Sequence, residues 1–148
     1  MAVLIPNIAK GKFAYYAGLP AANDALIWVL FSGTETDANI RDVDHLTALI
    51  ATSLNEATFT GYARVTGSSV VVTVDDTNDR VDVDLADPSW SPTTAEALTR
   101  IALCYDPDTT GGTDSDIIPL FVDDFALTTA TSGTLTYQVN ASGVARAS

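Results

Sequence analysis

At 148 residues with a formal charge of −12, the chain is long enough for one domain burying roughly 68–70% of its unfolded surface. That charge argues against a phosphate-backbone partner, which demands a basic face, so no nucleic acid is expected. Cys104 is the single cysteine and cannot form an intrachain disulfide, and no apolar run approaches the ~20 residues of a membrane span or has the form of a signal peptide.

Residues 1–23 hold both lysines, Lys10 and Lys12, and no acid, giving +2; residues 24–148 set five arginines against nineteen acids, giving −14. A basic stretch of this kind either folds back on its own acidic body or reaches an acidic neighbour in an assembly. Ala9, Phe13, Tyr16 and Ala17 recur at helical spacing, with Asn7 as N-cap and Gly18 then Pro20 as stop signals. A short helix and an extended arm both fit. Gly11 costs a helix about 1 kcal/mol, so order here requires docking Phe13 and the tyrosines, Tyr15 and Tyr16, against something.

Ala25 to Phe31 is an unbroken apolar run of strand length, suited to a strand buried on both faces with Trp28 in or beside the core. In the segment ETDANIRDVDHLTALIATSLNEATF, Leu46, Leu49 and Ile50 predict one further short helix behind Asp42 or Asp44 as cap. His45, the only histidine, lacks the second imidazole or thiolate of a zinc site and reads as solvated or capping.

From Thr58 onward the pattern becomes strand and turn. Tyr62 to Val65 is read as one strand. Val70 to Val74 and Val81 to Leu85 flank the DDTNDR turn and predict a β-hairpin with an acidic, solvated tip. Asp87 to Pro92 interrupts the ladder with two prolines, and Trp90 is too large to leave in water, so it is expected to cap one end of the core. Arg100 to Tyr105 reads as a central strand that buries Cys104 as an inert thiol. Ile117 to Phe125 is a strand whose Pro119 predicts an edge or a bulge. Gly133 to Val139 alternates as a final half-exposed strand. The pattern predicts a single all-β domain, an antiparallel β-sandwich or barrel of about seven strands spanning 24–148, preceded by the 1–23 arm or short helix.

Candidate chemistry is sparse. Asp106 to Asp116 carries acids at the first, third and ninth positions and glycine at the sixth of an EF-hand loop. Thr110 holds the fifth position, however, and Ile117 stands where the bidentate glutamate belongs, so a solvated hairpin loop is the stronger reading. Asp82, Asp84 and Asp87 offer carboxylates, but alternation places Asp82 and Asp84 on the polar face of one strand. With one histidine, no nucleophile elbow and no phosphate loop, no enzyme activity, cofactor or metal is expected.

The segments GKFAYYAGLPAANDALIWVLF, NEATFTGYAR, VTVDDTNDRVDVDLADPSWSP and IALCYDPDTTGGTDSDIIPLFVDDFAL span nearly the whole chain. Through them it resembles a family of small tailed-bacteriophage virion proteins. They are strand-and-turn signatures without a catalytic motif. The resemblance implies a virion structural role, a minor capsid or decoration protein on the head exterior, and related sequences serve equally in tails or fibres. The expected partners are a major capsid protein and further copies of the chain, with no membrane. Lys10, Lys12, Phe13, Tyr15 and Tyr16 are the candidate contact residues.

Overall fold

The computed structural model describes residues 3–141 and 143–147, the strand Ala145–Ala147 through its backbone only. A 3-10 turn at Asn7–Ala9 precedes α1 (Phe13–Ala17), β1 (Ala25–Gly33), α2 (Asp37–Arg41), α3 (Leu46–Ile50), β2 (Leu54–Glu56) and β3 (Val65–Thr66). The hairpin β4 (Val71–Asp75) and β5 (Arg80–Asp84) follows, then β6 (Ser89–Trp90), β7 (Ala97–Asp106), β8 (Ile118–Thr128), β9 (Leu135–Thr136) and β10 (Ala145–Ala147). These are ten strands among the described residues; the expected all-β architecture is present, and β2, β6 and β10 are strands the pattern did not announce.

The main sheet runs β2-β1-β7-β8, with β3 also pairing β1, and every pairing is antiparallel. Its centre is β1 against β7, with Ala25 opposite Asp106 and Phe31 opposite Arg100. Successive side chains of a strand face opposite ways, and here both faces are covered. Leu26, Trp28, Leu30, Leu103 and Tyr105 join Phe13, Val83, Leu85 and Trp90 in one core cluster. Ala25, Ile27, Val29, Phe31, Ala102 and Cys104 join Leu4, Ile40, Leu46, Leu49 and Leu54 in a second. That double burial is why Ala25 to Phe31 contains no polar residue at all. The smaller sheets are β10-β5-β4 and β6-β9, so the domain is a sandwich-like stack with α2 and α3 on the opposite side of the main sheet.

Trp90 is buried and its indole Nε1 donates to the Ala63 carbonyl at 2.8 Å. Pro119 behaves as both expected alternatives: β8 is an outer strand of its sheet, and the register with β7 shifts beside the Cys104–Pro119 pair. The edge is partly covered, since Leu4 and Val122 exchange backbone hydrogen bonds of 2.8 Å.

Four local expectations need correction. The acidic segment forms two short helices, since Thr36 caps α2 by accepting from Asn39 N. The cap of α3 is His45, whose Nδ1 accepts from Ala48 N at 3.1 Å; it replaces Asp42 and Asp44. The end of that segment is β2, which pairs with β1 closely enough that Gly33, at φ +83°, has the Ser53 carbonyl 2.1 Å from where a Cβ would sit. The strands expected over Tyr62 to Val65 and Gly133 to Val139 shrink to Val65–Thr66 and Leu135–Thr136, each pairing over two residues.

Candidate functional site

The five candidate contact residues lie on or beside α1, and its sequence divides them. Gly11 turns the chain at φ +76° between the 3-10 turn and the helix, and from there Phe13 and Ala17, four apart, point inward. Tyr16 stacks on Tyr105, ring centroids 4.9 Å apart, and Tyr105 donates its hydroxyl to Asp24 Oδ2 at 2.8 Å. Burial, then the Asp24 carboxylate, pushes the Tyr105 phenol up. Phe13 and Tyr16 thus serve the chain's own core, together with Leu4 and Ala9. Residues 3–23 do not stand apart as a free arm.

Lys10, Lys12 and Tyr15 face outward, Tyr15 with 62% of its surface exposed. Lys10 donates to Asn7 Oδ1, and neither lysine forms an ion pair among the described residues. The helix α1 itself packs against β4 and β5, and on β4 Val71, Val72 and Val74 are 52%, 36% and 66% exposed. Val70, Val72 and Val74 were expected to line up along the hairpin with Val81, Val83 and Leu85; of the six only Val83 and Leu85 are buried, and β4 is the last strand of its sheet.

The carboxylates are engaged in the scaffold. Arg64, just ahead of β3, donates to both oxygens of Glu56 at 2.8 and 2.7 Å and to both of Asp114 at 2.7 Å. Tyr62 adds its hydroxyl to Glu56 Oε1 at 2.8 Å and accepts from Leu30 N. The side-chain bond from Arg64 holds the Asp114 carboxyl below its usual range, and burial, then Glu56, pushes the Tyr62 phenol up. Held below its usual range in this way, the Asp114 carboxyl is not poised as a general acid. Arg80 lies 3.1 Å from Asp75 and 3.0 Å from Asp82, close enough for charge but misaligned for a hydrogen bond from Nε. Asp84 accepts from Leu85 N, and Asp87 from Val139 N.

The loop Asp106 to Asp116 is likewise closed on itself. Asp106 accepts from Asp108 N, Asp108 from Thr110 N and Oγ1, and Asp116 from Thr113 N, while Asp114 is turned to Arg64. Among the described residues no group of three or more His, Cys, Asp or Glu side chains is disposed to hold a metal ion. Cys104 is wholly buried, and that burial pushes its thiol up, away from thiolate chemistry.

One concavity was not foreseen. An open groove of about 610 Å³ lies between the end of β8 and β9, lined by Asp124, Phe125, Leu127, Thr134, Tyr137 and Gln138 among others. Phe125 and Tyr137 meet edge to face at 5.5 Å, and Tyr137 donates to the buried Asp123 at 2.9 Å. Asp124 is paired with Arg100. The groove brings together β8 and the 134–138 segment, which no spacing in the sequence relates. Comparison of the chain with protein-family models, with curated proteins and with solved structures finds no match in any of the three.

Proposed function

We propose that the protein is a non-enzymatic virion structural protein, a minor capsid or decoration protein that binds the exterior of a phage head and stabilises the shell. The observation that carries this reading is a contrast within one surface. Many carboxylates are tied into turns and arginine pairs, whereas Tyr15 of α1 and Val71, Val72 and Val74 of the neighbouring β4 stand in water, with Lys10 and Lys12 exposed ahead of the helix. Large apolar side chains grouped in this way mark an interaction surface. A chain at −12 sits on a shell exterior without competing for packaged DNA. The partners are the major capsid protein and further copies of the chain.

Attachment energy in this reading comes from burying Tyr15 and its apolar neighbours, because surface ion pairs contribute about 0–1 kcal/mol each. Salt is therefore expected to weaken attachment only slightly. Electron microscopy of intact particles carrying wild-type protein or Tyr15→Ser tests the reading. Density over the shell, lost or weakened in the variant, is the expected result; density confined to the tail, or none on the particle, overturns it.

A second reading has its own observation, the groove between β8 and β9. A concave site with two aromatic edges, hydroxyls and an amide suits a neutral polar ligand on a host surface, as a tail or fibre module requires. Density at the tail tip would favour it.

A further inference from the structure

The sheet β10-β5-β4 ends on β4, a strand that carries no lysine, proline or bulge, the usual means of blunting an edge. Its backbone orientation follows from its neighbours. Val144 N donates to Val83 O at 2.8 Å on the β10 side, so Val83 directs its peptide groups away from β4. Val72 lies opposite Val83, and Val74 opposite Val81. By the alternation of an antiparallel ladder, the N–H and C=O of Val72 and Val74 point out from the free edge, while those of Val71, Thr73 and Asp75 face β5. The side chains of Val72 and Val74 share the face of the buried Val83 and continue that apolar layer past the rim of the body.

We infer that β4 pairs antiparallel with β4 of a second copy across a two-fold axis at Thr73, joining two three-stranded sheets into one of six strands. In this register Val72 of each copy meets Val74 of the other in a hydrogen-bonded pair, and Thr73 faces its own symmetry mate. Three features select a second copy over another extended segment. The run Val72-Thr73-Val74 reads the same from either end, so the edge is complementary to itself, as an isologous contact demands. Residues 71–74 are uncharged in a strongly acidic chain, and Asp75 beside them is held by Arg80. The antiparallel arrangement also sends the two acidic tips, Asp76 and Asp79, to opposite ends. Each tip then lies alongside the partner's hairpin end that holds Leu85, which shares a core cluster with Phe13 of α1. Lys12, at the N-cap of that helix, brings a positive charge toward that end.

The contact specifies the homo-oligomer within the proposed function but is read on the isolated chain, so its failure leaves the particle experiment untouched. The test is Thr73→Cys in the full-length protein. Cα atoms of a non-hydrogen-bonded antiparallel pair lie about 4.5 Å apart, inside the range a disulfide spans. The buried Cys104 leaves the new thiol as the reactive one. Mild oxidation is expected to give a covalent dimer, while Asp76→Cys at the tip stays monomeric. Val74→Pro removes only an outward donor, so it is expected to retain its melting temperature and lose dimerisation by light scattering at about 0.1 mM. Val72→Lys provides the same block should the proline variant fail to fold. A wild-type monomer at that concentration, equal crosslinking of the two cysteine variants, or a dimer that survives a folded Val74→Pro or Val72→Lys overturns the inference.

Discussion

Arg64 and Asp114 stand 50 residues apart in the chain and meet through two hydrogen bonds of 2.7 Å, with Glu56 on the other side of the same guanidinium. One side chain therefore ties β2, the approach to β3 and the loop between β7 and β8. Arg64→Ala leaves two carboxylates facing one another without their counter-charge. Breaking a fully buried pair costs about 3–5 kcal/mol. Arg64 retains 28% of its side-chain exposure, and solvent screening brings the expectation to about 2 kcal/mol. Arg64→Lys keeps the charge but not the planar fork and should fall between. Urea midpoints of the three proteins measure this, and an unchanged midpoint for Arg64→Ala would remove the cluster from the stability argument.

The same cluster shapes the response to pH. Asp114 is held below its usual range by the Arg64 side chain, Glu35 by the amides of Thr36 and Ser53, Asp75 by Asn78 and Asp108 by Thr110. A carboxyl with a depressed folded value stabilises the fold above its unfolded pKa of about 4 and loses that contribution as pH falls through the folded value. Tyr62, Tyr105 and Tyr137 are raised, first by burial in each case, so their contribution is complete below the unfolded phenol value of about 10 and declines as pH rises beyond it. Melting temperature against pH should fall on both sides of a neutral plateau. In Arg64→Ala the acid limb should be shallower, since Asp114 no longer differs much between folded and unfolded chains.

Calcium should leave the melting temperature unchanged. Its oxygen cage would need Asp106, Asp108 and Asp114 to converge, yet Asp108 is spent on Thr110 and Asp114 on Arg64. Releasing Asp114 would forfeit the ties described above. A rise in melting temperature with millimolar calcium, absent with magnesium, would show that the loop rearranges to bind.

The framework was legible where burial leaves a one-dimensional trace. The run Ala25 to Phe31 and the apolar stretch Ile101 to Tyr105 identify β1 and β7, because both faces of each are filled. Pro119 announced its bulge through its missing N–H. What alternation cannot report is whether anything covers the face it creates: Val72 and Val83 are patterned alike, yet Val72 overhangs the body and Val83 is buried. Nor does local sequence reveal ties made at a distance. The Arg64 cluster and the β8–β9 groove are products of topology, and β6 and β9 are too short to carry a period. His45 was open to a capping role on chemistry, but its preference over Asp42 and Asp44 is set by where α3 begins.

Docking of residues 3–23 changes what a truncation measures. Removing residues 1–20 would take away Leu4, Ala9, Phe13 and Ala17, all buried, together with the Leu4–Val122 bridge that covers part of the β8 edge. Loss of a buried phenylalanine alone costs about 3–5 kcal/mol, a large share of the 5–15 kcal/mol that stabilises an ordinary domain. The truncated chain should therefore melt far lower or fail to fold, and its absence from particles would say nothing about attachment. Tyr15→Ser with Lys10→Glu and Lys12→Glu changes only outward side chains, each expected within about 0.5 kcal/mol of neutral. The triple variant should match wild type in melting temperature and circular dichroism while losing particle incorporation. A triple variant that folds and still incorporates fully would move the attachment surface away from α1.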